Sequence, residues 1–304
     1  MKRFLLSLVI VTLHFSYSNA EPLDSLCERI GQCLDDVTRL DEGRQLLEQA
    51  FATDGVEHDR FYPQLLYLQS HYYTNTGDFA RSKQHLLQLL SLLPADCNAE
   101  LSISVPQELG LAYRREGKLD SAFHYYDQAI EEAWRQGDLE WLAAISANVG
   151  ILHYNINHFA EAEQYLQQGL EYVRQVDDPY TELCLLQTCG AVKVALGKLQ
   201  EAEPLLRQAY QMATEAESPD WQLRCLTTMM PMYDKMGFAD SAQACRERGD
   251  VLLSQLPQQS ITATGFITSR ANHYYDNGKW QQASATYHLH YTTETTHSHS
   301  LDKI

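Results

Sequence analysis

Between Leu119 and Trp134 the small and apolar side chains Ala122, Tyr126, Ala129, Ile130 and Ala133 recur at steps of three and four, the mark of one buried helical face. Gly137-Asp138 breaks the pattern, and a second stripe follows from Leu139 to Asn155: Leu142, Ile145, Val149 and Leu152. Two amphipathic helices form the local unit. Equivalent breaks fall at Asp177-Asp178-Pro179 and Glu217-Ser218-Pro219, where a proline suits the first turn of a helix and not its interior. The unit then repeats. The turn residues Gly77, Gly117, Asn157, Gly197, Gly237 and Gly278 stand 40, 40, 40, 40 and 41 residues apart. Five residues after each comes a small side chain, Ser82, Ala122, Ala162, Ala202, Ala242 and Ala283, and seven before the middle three turns lie Gly110, Gly150 and Gly190. Small residues in fixed register predict that the two helices of each unit cross closely, since anything larger would push the backbones apart.

The run E-L-G-L-A-Y-R-R-E-G-K-L-D-S-A-F-H-Y-Y-D-Q-A-I from Glu108 resembles the tetratricopeptide consensus. Leu109, Gly110, Tyr113, Gly117, Leu119, Ala122, Tyr126 and Ala129 match the packing positions of that family's helices A and B. N-V-G-I-L-H from Asn148, with Phe159, Ala162, Leu166 and Gly169, and T-C-G-A-V-K from Thr188, with Gly197, Leu199, Ala202, Leu206 and Ala209, match it again. The register extends outward through Tyr73, Gly77, Phe79 and Pro94, and before them through Gly31, Leu34, Leu40, Gly43, Leu47 and Ala50. Toward the other end it continues through Tyr233, Gly237 and Ala242, then Tyr274, Gly278, Trp280, Ala283 and Tyr287. The resemblance implies an all-α fold, a right-handed α-solenoid of about seven helix-turn-helix repeats over residues 21–290, with 291–304 as a polar tail or the start of a linker. Departures from the consensus are His153 and Lys193 in place of an aromatic, Met230 in place of a small residue and Arg246 in place of a large apolar one. A period of 40 against the family's usual ~34 adds about 9 Å of helix to each unit, hence deeper walls.

In tetratricopeptide proteins helix A lines a concave groove, with its second, fifth, ninth, twelfth and thirteenth positions pointing inward. Carried onto this chain, that rule places Tyr67 and His71, with Gln64, Thr74 and Asn75, in the second repeat, and Gln107, Arg114 and Arg115, with Leu111, in the third. It continues with Ile151, Tyr154 and Asn155, beside Ala144 and Ala147, then Gln187 with Ala191 and Val194. Arg224, Thr227, Asp234 and Lys235 follow, and finally Tyr275 with Asn272 and Asp276. The expected groove is a basic patch at Arg114 and Arg115 beside an apolar floor from Ile151 to Val194, suited to an extended peptide or helix bearing one acidic group. The basic and amide clamp with which some members hold a chain-terminal carboxylate is missing, because Glu28 and Leu111 occupy its positions.

Charge and composition narrow the partners. Lys2 and Arg3, an apolar stretch from Phe4 to Phe15 and the small-residue ending Ser18-Asn19-Ala20 read as a secretory leader, residues 1–20, cut before Glu21. Its core is too short to span a bilayer, and no stretch of 21–304 is long and apolar enough to do so. Cleavage leaves 21 basic against 40 acidic residues. Nucleic acid is an unsuitable partner for such a surface. The seven cysteines, at 27, 33, 97, 184, 189, 225 and 245, are scattered and form no C-x-x-C pair, so buried hydrophobes is the default reading. His288, His290, His297 and His299 lie in a threonine-rich tail and read as solvated, not as a metal site; no metal or cofactor is expected. Without a phosphate loop, H-E-x-x-H or G-x-S-x-G, no catalytic constellation emerges.

Three functions remain open. The first is a periplasmic sensory module, because the chain resembles the exported repeat regions that precede a membrane helix and a cytoplasmic diguanylate cyclase or histidine kinase; the missing cap before Ile304 fits a chain that continues. The second is a stand-alone periplasmic or secreted scaffold for envelope assembly or transport. The third is a truncated cyclase or kinase whose catalytic part lies elsewhere. All three use a protein or peptide ligand.

Overall fold

A computed structural model describes residues 22–93, 99–256 and 260–286. The leader, Pro94, Cys97, Tyr287 and the four tail histidines lie outside these residues. Regular structure in the described residues is helical throughout, and the chain forms two compact units, Met1–Cys97 and Asn98–Ile304.

The first unit holds α1 (Leu23–Leu34), α2 (Leu40–Phe51), α3 (Tyr62–Asn75) and α4 (Phe79–Leu92). α1 packs on α2, α3 on α4, and α1 on α3. Leu26, Ile30, Leu34, Leu47 and Leu65 fill its core, and the Asn75 amide donates to the Leu34 carbonyl at 2.8 Å.

The second unit holds α5 (Ala99–Arg115), α6 (Leu119–Gln136), α7 (Leu139–Asn155), α8 (Phe159–Val173), α9 (Pro179–Ala195), α10 (Leu199–Glu215), α11 (Pro219–Met236), α12 (Ala239–Leu253) and α13 (Ile261–Asp276), followed by helical residues 280–286. The predicted pairs are therefore present, two in the first unit and five in the second. α5 to α12 run 15 to 18 residues against 12 to 14 for α1 to α4, so the longer walls implied by the 40-residue period belong to the second unit.

Local chemistry sets the boundaries. α7, α9, α11 and α13 begin where Asp138, Asp178, Ser218 and Ser260 accept the backbone N–H three residues on, at 3.1, 3.0, 3.5 and 3.4 Å; each such cap contributes about 0.5–2 kcal/mol. Inside each pair after α1–α2 the chain turns through one left-handed residue: Gly117 has φ +70°, and Asn157 takes the same role at φ +61°. Asparagine is the side chain that tolerates this region best after glycine, which explains how the repeat keeps its period there.

The close crossings are also present. A Cβ on Gly150 would stand 2.6 Å from Leu166 Cγ, one on Gly190 2.6 Å from Leu206, and one on Gly110 2.7 Å from the Tyr126 ring. Ala122, Ala162 and Ala202 are fully buried beside them. The consensus departures find partners rather than gaps. Met230 is fully buried. Arg246 is half-buried, 3.2 Å from Asp250 and 5.5 Å over the Tyr274 ring. His153 stacks on Tyr165 with ring centroids 5.4 Å apart, and Lys193 is buried between Glu163 and Glu201 at 2.8 and 2.7 Å.

Candidate functional site: the inner face of the second unit

In the second unit α5 packs on α7, α7 on α9, α9 on α11 and α11 on α13, whereas α6, α8, α10 and α12 meet mainly through the helix between them. The odd-numbered helices form the tighter, inner layer. That is the layer in which the expected groove residues fall, apart from Gln64, Tyr67, His71, Thr74 and Asn75, which belong to α3 of the first unit, where Tyr67 and His71 stack on each other at 6.4 Å.

On α5, Gln107 and Arg114 are half-buried and Arg115 is exposed. The Gln107 Oε1 is buried with no hydrogen-bond partner. On α7, Ile151 and Tyr154 are half-buried, Tyr154 resting 5.8 Å from Phe159, and Asn155 is exposed at the end of the helix. On α9, Gln187 donates to Thr228 Oγ of α11 at 3.3 Å, a polar stitch across the face. Tyr275 is exposed on α13 and meets Trp280 edge-on at 4.6 Å.

The apolar floor is narrower than the sequence register implies. Ala147, Ala191 and Val194 are buried, because adjacent inner helices approach closely enough to cover such short side chains. Ala144, Ile151 and Cys184 remain half-exposed between them. Cys184 was not among the expected groove residues, although it holds the same repeat position as Ala144. Burial raises its thiol pKa, while the Thr188 hydrogen bond and the guanidiniums of Arg224 and Arg114 draw it back down. Residues from α5, α9 and α11 thus share one electrostatic neighbourhood.

Charge separates the two layers. α8 carries Glu161, Glu163 and Glu171 with no lysine or arginine, and α6 sets Asp120, Asp127, Glu131 and Glu132 against Arg135 alone. On the inner layer α7 has Glu140 as its sole Asp, Glu, Lys or Arg, and α9 has Glu182 and Lys193. In a chain of net charge −17 the inner face is close to neutral. Among the described residues no cluster of three or more His, Cys, Asp or Glu is placed to hold a metal ion, and no helix is long and apolar enough to cross a membrane.

Helix pairs with small residues at the crossing, left-handed turns and a shared inner layer define a tetratricopeptide-type solenoid. The family described as "MalT-like TPR region" matches residues 44–236, and the chain belongs to it. A curated relative, the mitochondrial tetratricopeptide repeat protein 19 homolog of Drosophila melanogaster, is 23% identical over 188 residues, 58% of this chain and 50% of the relative, so the chain spans about half of that protein's length. Among solved structures, the apo form of RapI superposes with a TM-score of 0.69 at 12% identity, over 90% of this chain and 97% of that one. NprR in complex with its cognate peptide NprX gives 0.61 at 14% identity, over 86% and 74%. At these identities the likeness concerns the fold.

Proposed function

We propose that this protein is an exported binding module which takes a protein segment or peptide on the inner face of its second unit, as the extracytoplasmic sensory part of a signalling protein. One observation carries the reading: the layer built from α5, α7, α9, α11 and α13 keeps half-exposed apolar and amide side chains and little net charge, its acids matched by bases, while the outer helices carry an excess of acids. A surface kept neutral in an acidic protein is suited to contact rather than to solubility. The fold it shares with NprR, solved with its cognate peptide, supports the same use. The leader-like residues 1–20 support export.

The test has two parts. Tagged full-length chain should fractionate with the periplasm in a Gram-negative host and remain in the cytoplasm after deletion of residues 2–20; identical distribution of both forms removes the export claim. Chain recovered from that compartment should retain a defined protein or peptide by cross-linking and mass spectrometry, and Arg114→Glu with Arg115→Glu should release it. Retention unchanged by the double substitution would move the contact off this face.

A further inference from the structure

Four bases of the second unit are not fully at the surface: Arg114, Lys193, Arg246 and Arg270. Three of them have carboxylates. Lys193 meets Glu163 and Glu201, Arg246 meets Asp250 at 3.2 Å, and Arg270 binds the other oxygen of Asp250. Arg114 makes no ion pair with the described residues. It stands in the last turn of α5, on the inner layer, and its charge acts on Cys184 two inner helices away, as does that of Arg224 from the opposite side. Arg224 already holds Asp220 at 2.7 Å. Arg114 is thus the one half-buried base of the second unit with no carboxylate partner among the described residues, in a chain that carries 40 of them. Its planar fork matches a carboxylate through two parallel hydrogen bonds.

We propose that Arg114 is the anchor for a carboxylate of the bound peptide, and that the ligand is an acidic peptide whose neighbouring aliphatic side chain rests on Ala144 and Ile151. This rests on the reading of the inner face as a peptide-binding surface and adds the chemistry of what binds there. The carboxylate has two possible sources, an Asp or Glu side chain or the peptide's own terminus.

The experiment is selection from a random dodecapeptide library on the purified full chain, with enriched sequences resynthesised as free acids and as terminal amides and their affinities read by fluorescence polarisation. Enriched peptides should carry Asp or Glu beside Leu, Ile or Val. Arg114→Gln should weaken them about ten- to hundred-fold, the range for a charge-assisted hydrogen-bonded pair. Arg174→Gln, which removes the same charge from the exposed end of α8, should change affinity less than about twofold. Arg114→Lys, which keeps the charge and loses the fork, should fall between and guards against a misfolded glutamine variant. Amidation that abolishes binding assigns the terminal carboxylate, and amidation without effect assigns the side chain; either supports the anchor. Selection of neutral or basic peptides, or of acidic ones indifferent to both substitutions at 114, overturns the anchor and leaves peptide binding standing. Failure to enrich any peptide overturns the underlying reading instead.

Discussion

The helix pairs α7–α8 and α9–α10 share one crossing and differ in the contact beside it. In both, a glycine of the first helix receives a leucine of the second, Gly150 with Leu166 and Gly190 with Leu206, at nearly the same separation. Three residues further along, α7 places His153, stacked on Tyr165 and 4.9 Å from Phe123, whereas α9 places Lys193, held by Glu163 of α8 and Glu201 of α10. An aromatic rung and a buried lysine with its carboxylates, Glu163 inside and Glu201 at the surface, fill equivalent space. The repeat register is therefore set by the small-residue crossing, and the rung is free to vary: the Lys193 ammonium finds two carboxylates, while the buried Nδ1 of His153 has no hydrogen-bond partner and the ring is held by stacking.

The largest effect should come from breaking the charged rung. Lys193 is 7% exposed, so removing both carboxylates in Glu163→Gln with Glu201→Gln leaves an ammonium buried beside neutral amides. A loss of about 3–5 kcal/mol is expected, the range for an orphaned buried charge. Adding Lys193→Met to that background should recover most of it, because a well-packed apolar side chain of similar volume often equals or exceeds a buried ion pair. Urea unfolding of the four chains measures this as a cycle. If the double substitution costs no more than Lys193→Met alone, water reaches the cluster and the rung is a surface feature.

Next comes the crossing that both pairs share. Gly190→Ala and Gly150→Ala each put a Cβ 2.6 Å from a leucine branch that must move, and should cost about 1–3 kcal/mol despite the better helix propensity of alanine. Gly265→Ala, whose Cβ meets nothing within 4 Å, should instead be neutral or stabilising. Thermal midpoints of the three variants decide the point, and equal shifts would mean that the crossing is not what fixes the register.

The difference between these two features also marks what the sequence made legible. Gly150, Gly190 and the small residues five past each turn, Ser82 and then alanines, announce themselves by spacing, because a backbone contact admits so few side chains. The fold and the layer carrying Gln107, Arg114, Ile151 and Gln187 follow from that spacing. Lys193 reads only as a deviation, since its partners lie 30 residues before it and eight after, on two other helices. Burial of Ala147, Ala191 and Val194 depends on how near the inner helices approach one another, which no single helix encodes. Cys184 was missed because cysteine at a groove position resembles any other small buried residue until the charges around it are known.

The aromatic rung should show itself through pH. Burial lowers the pKa of His153, with Glu161 opposing and His158 adding to the shift. Its folded value therefore lies below the unfolded one, near 6.5. Above 6.5 the imidazole is neutral in both states and its contribution is complete; as pH falls through 6.5 the unfolded chain takes the proton first and stability declines. His153→Phe should flatten that part of the profile. A second decline, beginning below 4.5, is shared by Glu163, whose carboxyl is held down by hydrogen bonds from Lys193 and Lys198, and Glu132, drawn down to about 2 chiefly by the Arg135 hydrogen bond; their stability is present above 4.5 and lost as pH drops through the folded values. Denaturant midpoints from pH 8 to 3 should thus lose the first slope in His153→Phe and keep the second. Persistence of the first slope would assign it to other histidines, beginning with His85, which burial also lowers and which stacks on Tyr73 at 5.4 Å.

The smallest effect concerns two thiols of one helix. Cys184 and Cys189 both lie on α9 with pKa values raised chiefly by burial, but Cys184 is half-exposed on the inner face and Cys189 is 1% exposed. Timed alkylation at pH 8 with peptide mapping should modify Cys184 faster by on the order of tenfold, since Cys189 reacts only after local opening. Cys225 and Cys245, whose thiols burial pushes up to about 12 and about 11, should stay protected with Cys189. Equal rates at 184 and 189 would mean that the inner layer opens as a whole, and would remove the rigid face on which Arg114, Ile151 and Gln187 are aligned. The expected inequality makes Cys184 a reporter for that face: an acidic peptide lying between Arg114 and Arg224 should slow its alkylation and leave the other three thiols unchanged.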